Sequence, residues 1–534
     1  MPLFTIANTD PVLIGSGQIV SVTNTVGQNV RLLSTTATTR PSAADVRASG
    51  TQLAASASTT FSAITDPINV WAITETVGNF TPSTLDANSD TFATLTATRG
   101  TTFPLFGTPR LAFSSLRTSA AIARSGGVGC DIVCIGSSLT RGLNDPTHFR
   151  TGWVHRLKLL IQGRYNPTSV LGGYGFVRAW DTVGGTRNDS TFQSIAGTVN
   201  ASSGGTCITR NRLPQNATPR THKVIYNFDG TAADAVASRR GVTDIEALIH
   251  GAGGGNPTTT DGRIDLQIGS APATTTAGTL QSATINTSEA AATANYPDWR
   301  IRYNTGLVAT NNNFFQYGNG SSTPGGSLQD FWNAGVIAYN GDWATGVRVH
   351  NLGFPGGESG NWGSGDELTC QVDRWATGAT TGARNAKLFI VEIPINDYRS
   401  AVALATFQTN INNLLNRIQS QPSSPGVLLV IPPMAADAAT WASPTAANPS
   451  SRSDLARQMV NWVYSLAASR PGTAVVDLIE ILGGSFHYVD ATDNGYRTAL
   501  VSRGFNESDL IHWSASMQSW VADGIFGAIA TEVG

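Results

Sequence analysis

Apolar and polar positions run along this chain in two different rhythms, and the changes between them divide it. Over residues 1–122 the segments are short and of period two, GQIVSVTNTV and INVWAITETV among them, with proline and glycine between. Alternation of that kind suits strands covered on one face, so an all-β module is predicted there. From about residue 128 the grammar changes. DIVCIG (131–136) is almost unbroken in its apolar character, as in a strand covered on both faces. RTGWVHRLKLLIQGRY follows it with Trp153, Leu157, Leu160 and Ile161 at helical spacing.

The same grammar resumes late in the chain. KLFIVEI (387–393) is a predicted strand, and Phe407, Ile411, Leu414, Leu415 and Ile418 then form one apolar helical stripe. GVLLVIPP (426–433), SDLARQMVNWVYSLAAS and TAVVDLI continue as strand, helix and strand. Such alternation implies right-handed crossovers and a parallel sheet between two helical layers.

Between these stretches, over 186–345, the period returns to two. DIEALI sets Ile245, Ala247 and Ile249 on one face, RIDLQI does so with Ile264, Leu266 and Ile268, and WRIRY with Trp299, Ile301 and Tyr303. Turns rich in glycine and threonine separate them, so an inserted β-sandwich is predicted. The expected layout is a β-rich module over 1–122, a discontinuous three-layer α/β domain over 123–185 and 346–534, and the insert over 186–345. A chain of 534 residues is long enough for that division.

Composition changes this picture little. The net charge is −2 and only 13% of residues are charged, so no field of one sign points to nucleic acid or an anionic membrane. Lysine occurs only at 158, 223 and 387, which reflects codon usage before chemistry. Cys130 and Cys134 flank one strand at a separation too long for easy bridging, while a Cys207–Cys370 disulfide stays open. No cysteine or histidine spacing forms a metal knuckle, and no cofactor is expected. No apolar run of 18 residues occurs and MPLFTIANTDPVLIG lacks the pattern of an export leader, so a soluble chain without such a signal is expected.

Candidate chemistry gathers at four places. In GSSLTRG (136–142) two serines follow a buried strand. In HNLGFPGGESGNW (350–362) a glycine cluster follows the segment GVRV, and glycine lets a backbone N–H approach a reacting atom. In VEIPINDYRS (391–400), Asn396 and Asp397 sit past the end of a strand, where an amide can donate to an oxyanion. In ESDLIHW, Asp509 and His512 are three apart, so one turn can aim both the same way. The carboxylate would then hold Nδ1–H and leave Nε2 for a serine proton. Each stretch alone is ordinary: a serine turn, an Asx turn, a helix cap. Their order, at strand ends and terminal loops, is not.

These four blocks together resemble the SGNH (GDSL-type) hydrolases, over about 128–185 and 346–534. GSSLTRG is similar to G-D-S-L-T-x-G, which implies Ser138 as the nucleophile. NLGFPGGES resembles N-x-G-x-x-G and implies the Gly356 N–H as an oxyanion donor, beside that of Ser138. PIND resembles G-x-N-D and implies the Asn396 amide as a further donor. DLIH resembles D-x-x-H and implies Asp509 and His512 as the rest of a triad. Ser137 stands where the family has Asp, Pro394 where it has Gly, and Trp513 where a proline often follows the histidine.

The resemblance implies a flavodoxin-like α/β fold and a cofactor-free serine esterase. The flanking β modules, with GGYGFVRAW and GVIAYNGDWATGVRVHNLGFPGG, also resemble bacteriophage tail proteins that carry this domain. The expectation is then a virion protein acting on an acyl ester, an O-acetyl group foremost, of a host surface glycan. It would dock to other tail proteins and form a homo-oligomer, a trimer for a fibre. Trp299, Trp332 and Trp343 are candidate glycan-stacking residues, with core packing as the plainer role. A binding protein that has lost activity and a bacterial carbohydrate esterase outside any virion are the alternatives.

Overall fold

The structure is a computed structural model that describes residues 102–142, 152–167, 345–363, 385–393, 395–433, 452–481 and 511–534 as continuous stretches. It also describes residues 175–177, 335–339, 372 and 374–376, and elsewhere the backbones of individual strands. The chain divides into two compact units, one of residues 1–103, 233–236 and 519–531, the other of the remaining residues.

The first unit carries antiparallel strands where period two prevails. Strands 12–17, 68–74, 30–35 and 51–53 form one sheet in that order, and 19–23 pairs with 58–62.

The second unit holds the α/β layer. Its strands are β1 (Phe106–Gly107), β2 (Cys130–Ile135), β3 (Val347–Asn351), β4 (Ala386–Glu392), β5 (Gly426–Ile431) and β6 (Thr473–Asp477). They lie in the order β3-β2-β4-β5-β6-β1, parallel throughout except for β1 against β6. Every residue of β2, β5 and β6 is buried, and so the sequence shows runs there and not alternation.

Helices α1 (Ser114–Arg124), α3 (Trp153–Tyr165), α5 (Leu404–Gln419) and α6 (Arg452–Ser469) connect the strands, and α7 (Ala515–Val533) is the last element. The predicted stripe is the buried face of α5: Phe407, Ile411, Leu414, Leu415 and Ile418. Each such side chain stabilises the layer by about 1.5–3 kcal/mol through burial. Truncating Leu414 to alanine would cost about 2–5 kcal/mol, because a cavity adds to the lost transfer energy.

Two boundaries differ from those drawn on composition. β1 and the start of α1 precede residue 123, and β1 belongs to the α/β sheet, since Ala474 and Val475 of β6 pair with Gly107 and Phe106. The small Thr, Ser and Ala residues of α1 continue the composition of the preceding module and hide the change. Strand Gly175–Arg178 pairs with Phe331–Tyr339, so it is hydrogen-bonded into the insert's sheet and not into the parallel one.

The insert contains two antiparallel sheets, of five and six strands. Strands Asp244–His250 and Trp299–Asn304 pair with Ile245 opposite Tyr303, Ala247 opposite Ile301 and Ile249 opposite Trp299. The two apolar faces read from the sequence are therefore in register.

The topology fixes where a site can form. From β2 the chain steps outward to β3, then returns to the other side of β2 as β4. The direction of winding reverses at β2, and open α/β sheets place ligands beyond the carboxyl ends of the strands at such a point. Ser138 follows that end of β2.

Candidate active site

The chain leaves β2 through Gly136 and turns at once into the one-turn helix α2 (Ser138–Arg141). Glycine is required at 136, because a Cβ there would collide with Thr140 Oγ1 and the Glu392 carboxylate. Ser137 is the N-cap, extended at φ −82° and ψ −157°, and its Oγ accepts the Leu139 N–H at 3.2 Å. Gly142, at φ +81°, closes the turn and donates its N–H to Ser138 O at 3.0 Å.

Beneath this elbow lies Glu392, the last residue of β4 and fully buried. Its carboxylate accepts four bonds: from Ser137 N–H at 3.1 Å, Ser137 Oγ–H at 2.6 Å, Thr140 N–H at 2.9 Å and Thr140 Oγ1–H at 2.5 Å. Burial pushes the Glu392 carboxyl above its usual range, and these donors pull it back in part. The one N–H of the elbow between residues 137 and 140 with no acceptor among the described residues is that of Ser138.

His512 completes the central contact. Its Nε2 stands 2.9 Å from Ser138 Oγ across 374 residues of sequence. With the ring proton on Nδ1, Nε2 accepts the serine hydroxyl proton. Ser138 is 4% exposed, so its hydroxyl is shielded from bulk water but not sealed off. Trp513, beside the histidine, is buried.

The glycine loop after β3 is laced to the same elbow. Asn351 Nδ2 donates to Thr140 O at 3.0 Å, Asn351 Oδ1 accepts the Gly353 N–H at 2.9 Å, and Phe354 N–H reaches Gly136 O at 2.8 Å. Gly353 approaches the backbone of Thr140 and Arg141 so closely that a Cβ would collide with it. Gly356 lies beyond, exposed and at φ +72°, a conformation that favours glycine. The loop's own turn bond runs from Gly357 N–H to Phe354 O and leaves the Gly356 N–H out of it.

Asn396 and Asp397 stand on α4 (Ile395–Arg399), which follows β4. One N–H of the Asn396 amide donates to Gly357 O at 3.0 Å, which joins α4 to the glycine loop and leaves the amide's second N–H for another acceptor. Asp397 is fully buried and accepts Ser359 N–H at 2.8 Å and Ser359 Oγ–H at 2.5 Å. Burial pushes its carboxyl up to about 6, against the opposing pull of the Ser359 bonds. Asn410 of α5 donates to the same Ser359 Oγ at 3.1 Å.

Ser138 and His512 are thus brought together, and Asn396 is tied to the loop that carries Gly356. Asp509, Pro394, Cys207, Cys370 and Trp343 lie outside the described residues, and Trp299 and Trp332 lie on strands described by their backbones alone. Cys130 and Cys134 are free and buried. The sequence reading missed Glu392, Thr140 and Ser359. A visible signal existed for the first, since a lone glutamate interrupts the apolar run KLFIVEI.

A second polar cluster lies near the amino end of β2. Asp131 Oδ1 contacts Arg348 Nε at 2.6 Å and His350 Nε2 at 2.9 Å, and Oδ2 accepts Arg348 Nη2 at 3.0 Å and the Asn385 N–H at 2.8 Å. All three side chains are almost wholly buried. Burial would raise the Asp131 carboxyl, but the Arg348 cation and the His350 bond outweigh it and hold it well below the usual carboxylate range.

No protein-family profile matches the sequence, and no curated protein does. Solved structures of similar shape include a peptidoglycan O-acetylesterase, aligned over 80% of this chain and 99% of its own at 12% identity and a TM-score of 0.49. A family two carbohydrate esterase from Clostridium thermocellum aligns over 64% of this chain and 99% of its own, at 10% identity and a TM-score of 0.23. A psychrotrophic esterase from Pseudoalteromonas sp. aligns over 35% and 79%, at 13% identity and a TM-score of 0.23. Similarity of that degree carries no argument about chemistry, which rests on the site itself.

Proposed function

We propose that this chain is a serine esterase that cleaves acyl esters through Ser138. The observation that carries this reading is the 2.9 Å contact between Ser138 Oγ and His512 Nε2, set beyond the strand at which the winding of the sheet reverses.

Each step follows from the position of a group. His512 Nε2 takes the hydroxyl proton as Ser138 Oγ bonds to the ester carbonyl carbon. The carbonyl oxygen gains the negative charge, and the Ser138 N–H, the Gly356 N–H and the second N–H of Asn396 are its proposed donors. Each such donor is worth about 3 kcal/mol in the transition state. Collapse breaks the bond to the alcohol oxygen, which receives the proton from His512. A water molecule, deprotonated by the same ring, then releases the acid from the acyl-serine. Asp509, three residues before the histidine, is assigned to hold the Nδ1–H of the ring on the strength of that spacing.

The acyl group is proposed to be acetyl and its carrier a glycan of a bacterial envelope. An esterase domain interrupted by two antiparallel sheets, whose strands bear Trp299 and Trp332, supports a polymeric substrate. The proposed setting is a bacteriophage tail, with the amino-terminal β module docked to other tail proteins in a symmetric oligomer. That setting rests on the resemblance of its flanking segments, and co-purification with particles tests it. An inactive binding protein on this fold is the alternative that the departures at Ser137 and Pro394 would favour, the first by weakening the elbow. Ser137 instead caps α2 and bonds to Glu392.

The test is hydrolysis of an activated aryl acetate and of O-acetylated envelope glycans by the native chain, Ser138→Ala and His512→Ala. The expected result is turnover that each substitution lowers by about 10³-fold or more. Activity indifferent to Ser138→Ala would remove the assignment.

A further inference from the structure

The proposed mechanism asks nothing of Glu392, yet no other described carboxylate is so fully engaged with the nucleophile turn. A glutamate buried on a strand between two apolar layers is costly unless its oxygens are met. Here they are met by four donors that all belong to residues 137 and 140, the neighbours on either side of Ser138 and Leu139.

The first turn of any helix leaves backbone N–H groups without partners inside the helix. In α2 the Ser137 and Thr140 N–H groups go to Glu392, and the Leu139 N–H goes to Ser137 Oγ. Ser137 Oγ is itself oriented by donating to Glu392 Oε1, so the carboxylate governs that bond too. Ser138 is left with its N–H without an acceptor among the described residues and its flanking peptides fixed. In a capping box the helix's own third residue supplies a reaching carboxylate. Here β4 supplies it from 255 residues away, as measured from Ser137.

We propose that Glu392 is the positioning residue of this site: its carboxylate, shared among the Ser137 and Thr140 donors, fixes the turn that aims Ser138 Oγ at His512 and keeps the Ser138 N–H free for the oxyanion. It touches no substrate. It also accounts for Ser137 in place of the aspartate of the resembling family, because a second carboxylate at 137 would face Glu392 across a hydrogen-bond distance with no cation among its partners. This inference rests on the proposed esterase activity.

Glu392→Gln is the direct test, since it keeps the shape and one acceptor oxygen but turns an NH₂ toward two N–H donors. Turnover is expected to fall on the order of 10²-fold, as displacement of a reacting atom does, with KM within about twofold of native. Glu392→Asp is expected to restore little, because the shorter arm cannot reach both residues. Thr140→Val, which removes one donor and keeps the carboxylate, should fall by about tenfold, and Thr140→Ser should recover it.

Activity is read per reactive serine, titrated with a fluorophosphonate, so that loss of folded protein does not count. Native turnover per titrated serine in Glu392→Gln overturns the inference, as does a fall in the titrated fraction alone. Should Glu392→Gln fail to fold, the Thr140 pair decides: equal turnover in Thr140→Val and Thr140→Ser overturns it. A native chain that neither hydrolyses esters nor takes the label ends the esterase reading itself, a result distinct from an active native chain whose Glu392→Gln variant is equally active.

Discussion

The two ends of β2 each bury a carboxylate and place a histidine within hydrogen-bond reach of a partner, yet they do different things. At the amino end Asp131 holds His350 and Arg348, and the imidazole Nε2 and the guanidinium Nε converge on one carboxylate oxygen. His350 Nδ1 is buried with no hydrogen-bond partner among the described residues, and the ring lies 4.6 Å from that of Trp375. Among the described residues the hydrogen-bond partner of His350 is the Asp131 carboxylate, and no hydroxyl or thiol is bonded to its ring. At the carboxyl end His512 meets a hydroxyl, while the buried carboxylates Glu392 and Asp397 meet only hydroxyls and backbone N–H groups. An Asp–His pair is therefore no mark of a site on its own. What separates the two ends is the hydroxyl that His512 meets and the Ser138 N–H, which has no acceptor among the described residues.

The comparison can be broken in order of expected effect. Ser138→Ala or His512→Ala should remove about 10³-fold or more of turnover and leave the melting transition in place. Arg348→Met should do the reverse. It leaves Asp131 buried without its cation, which costs about 3–5 kcal/mol of stability, while turnover of the surviving folded protein stays native. Denaturant unfolding beside steady-state kinetics separates the two outcomes.

Asn396→Ala should lower turnover by about 10²–10³-fold with little change in KM, if its amide serves the oxyanion. An increase in KM alone would assign it to substrate binding. The pH dependence of stability gives a smaller effect of opposite sign at the two ends. Asp397 is raised to about 6 when folded, against about 3.9 unfolded. Its contribution is full below pH ~4 and is lost as pH rises through ~6, by about 3 kcal/mol. Asp397→Asn should flatten that decline in melting temperature. Asp131 is depressed when folded, so its contribution is present above pH ~4 and is lost only in stronger acid.

Much of this was legible in the sequence for a physical reason. The α5 stripe and the runs of β2 and β5 follow from burial on one face or on two, and each appears as predicted. Ser138 and His512, 374 residues apart, were legible only as members of an ordered set of blocks, because spacing within each block is commonplace. Glu392 was not read, although its charge interrupts an apolar strand, because its meaning depends on Ser137 and Thr140 facing it across β2 and β4. The strand β1 was not legible, since it is two residues long and too short to show any period. Asp131 was hidden for another reason. At the end of an apolar run it looks like a turn residue, and only the parallel register that sets Arg348 opposite it reveals a buried ion pair.

The most direct measurement is peptide-resolved mass spectrometry after a fluorophosphonate treatment. A single adduct on the peptide carrying Ser138, formed slowly in His512→Ala and absent in Ser138→Ala, is the predicted result. An adduct on another serine, or one on Ser138 whose rate is indifferent to His512→Ala, would contradict the claim that this pair is the catalytic centre.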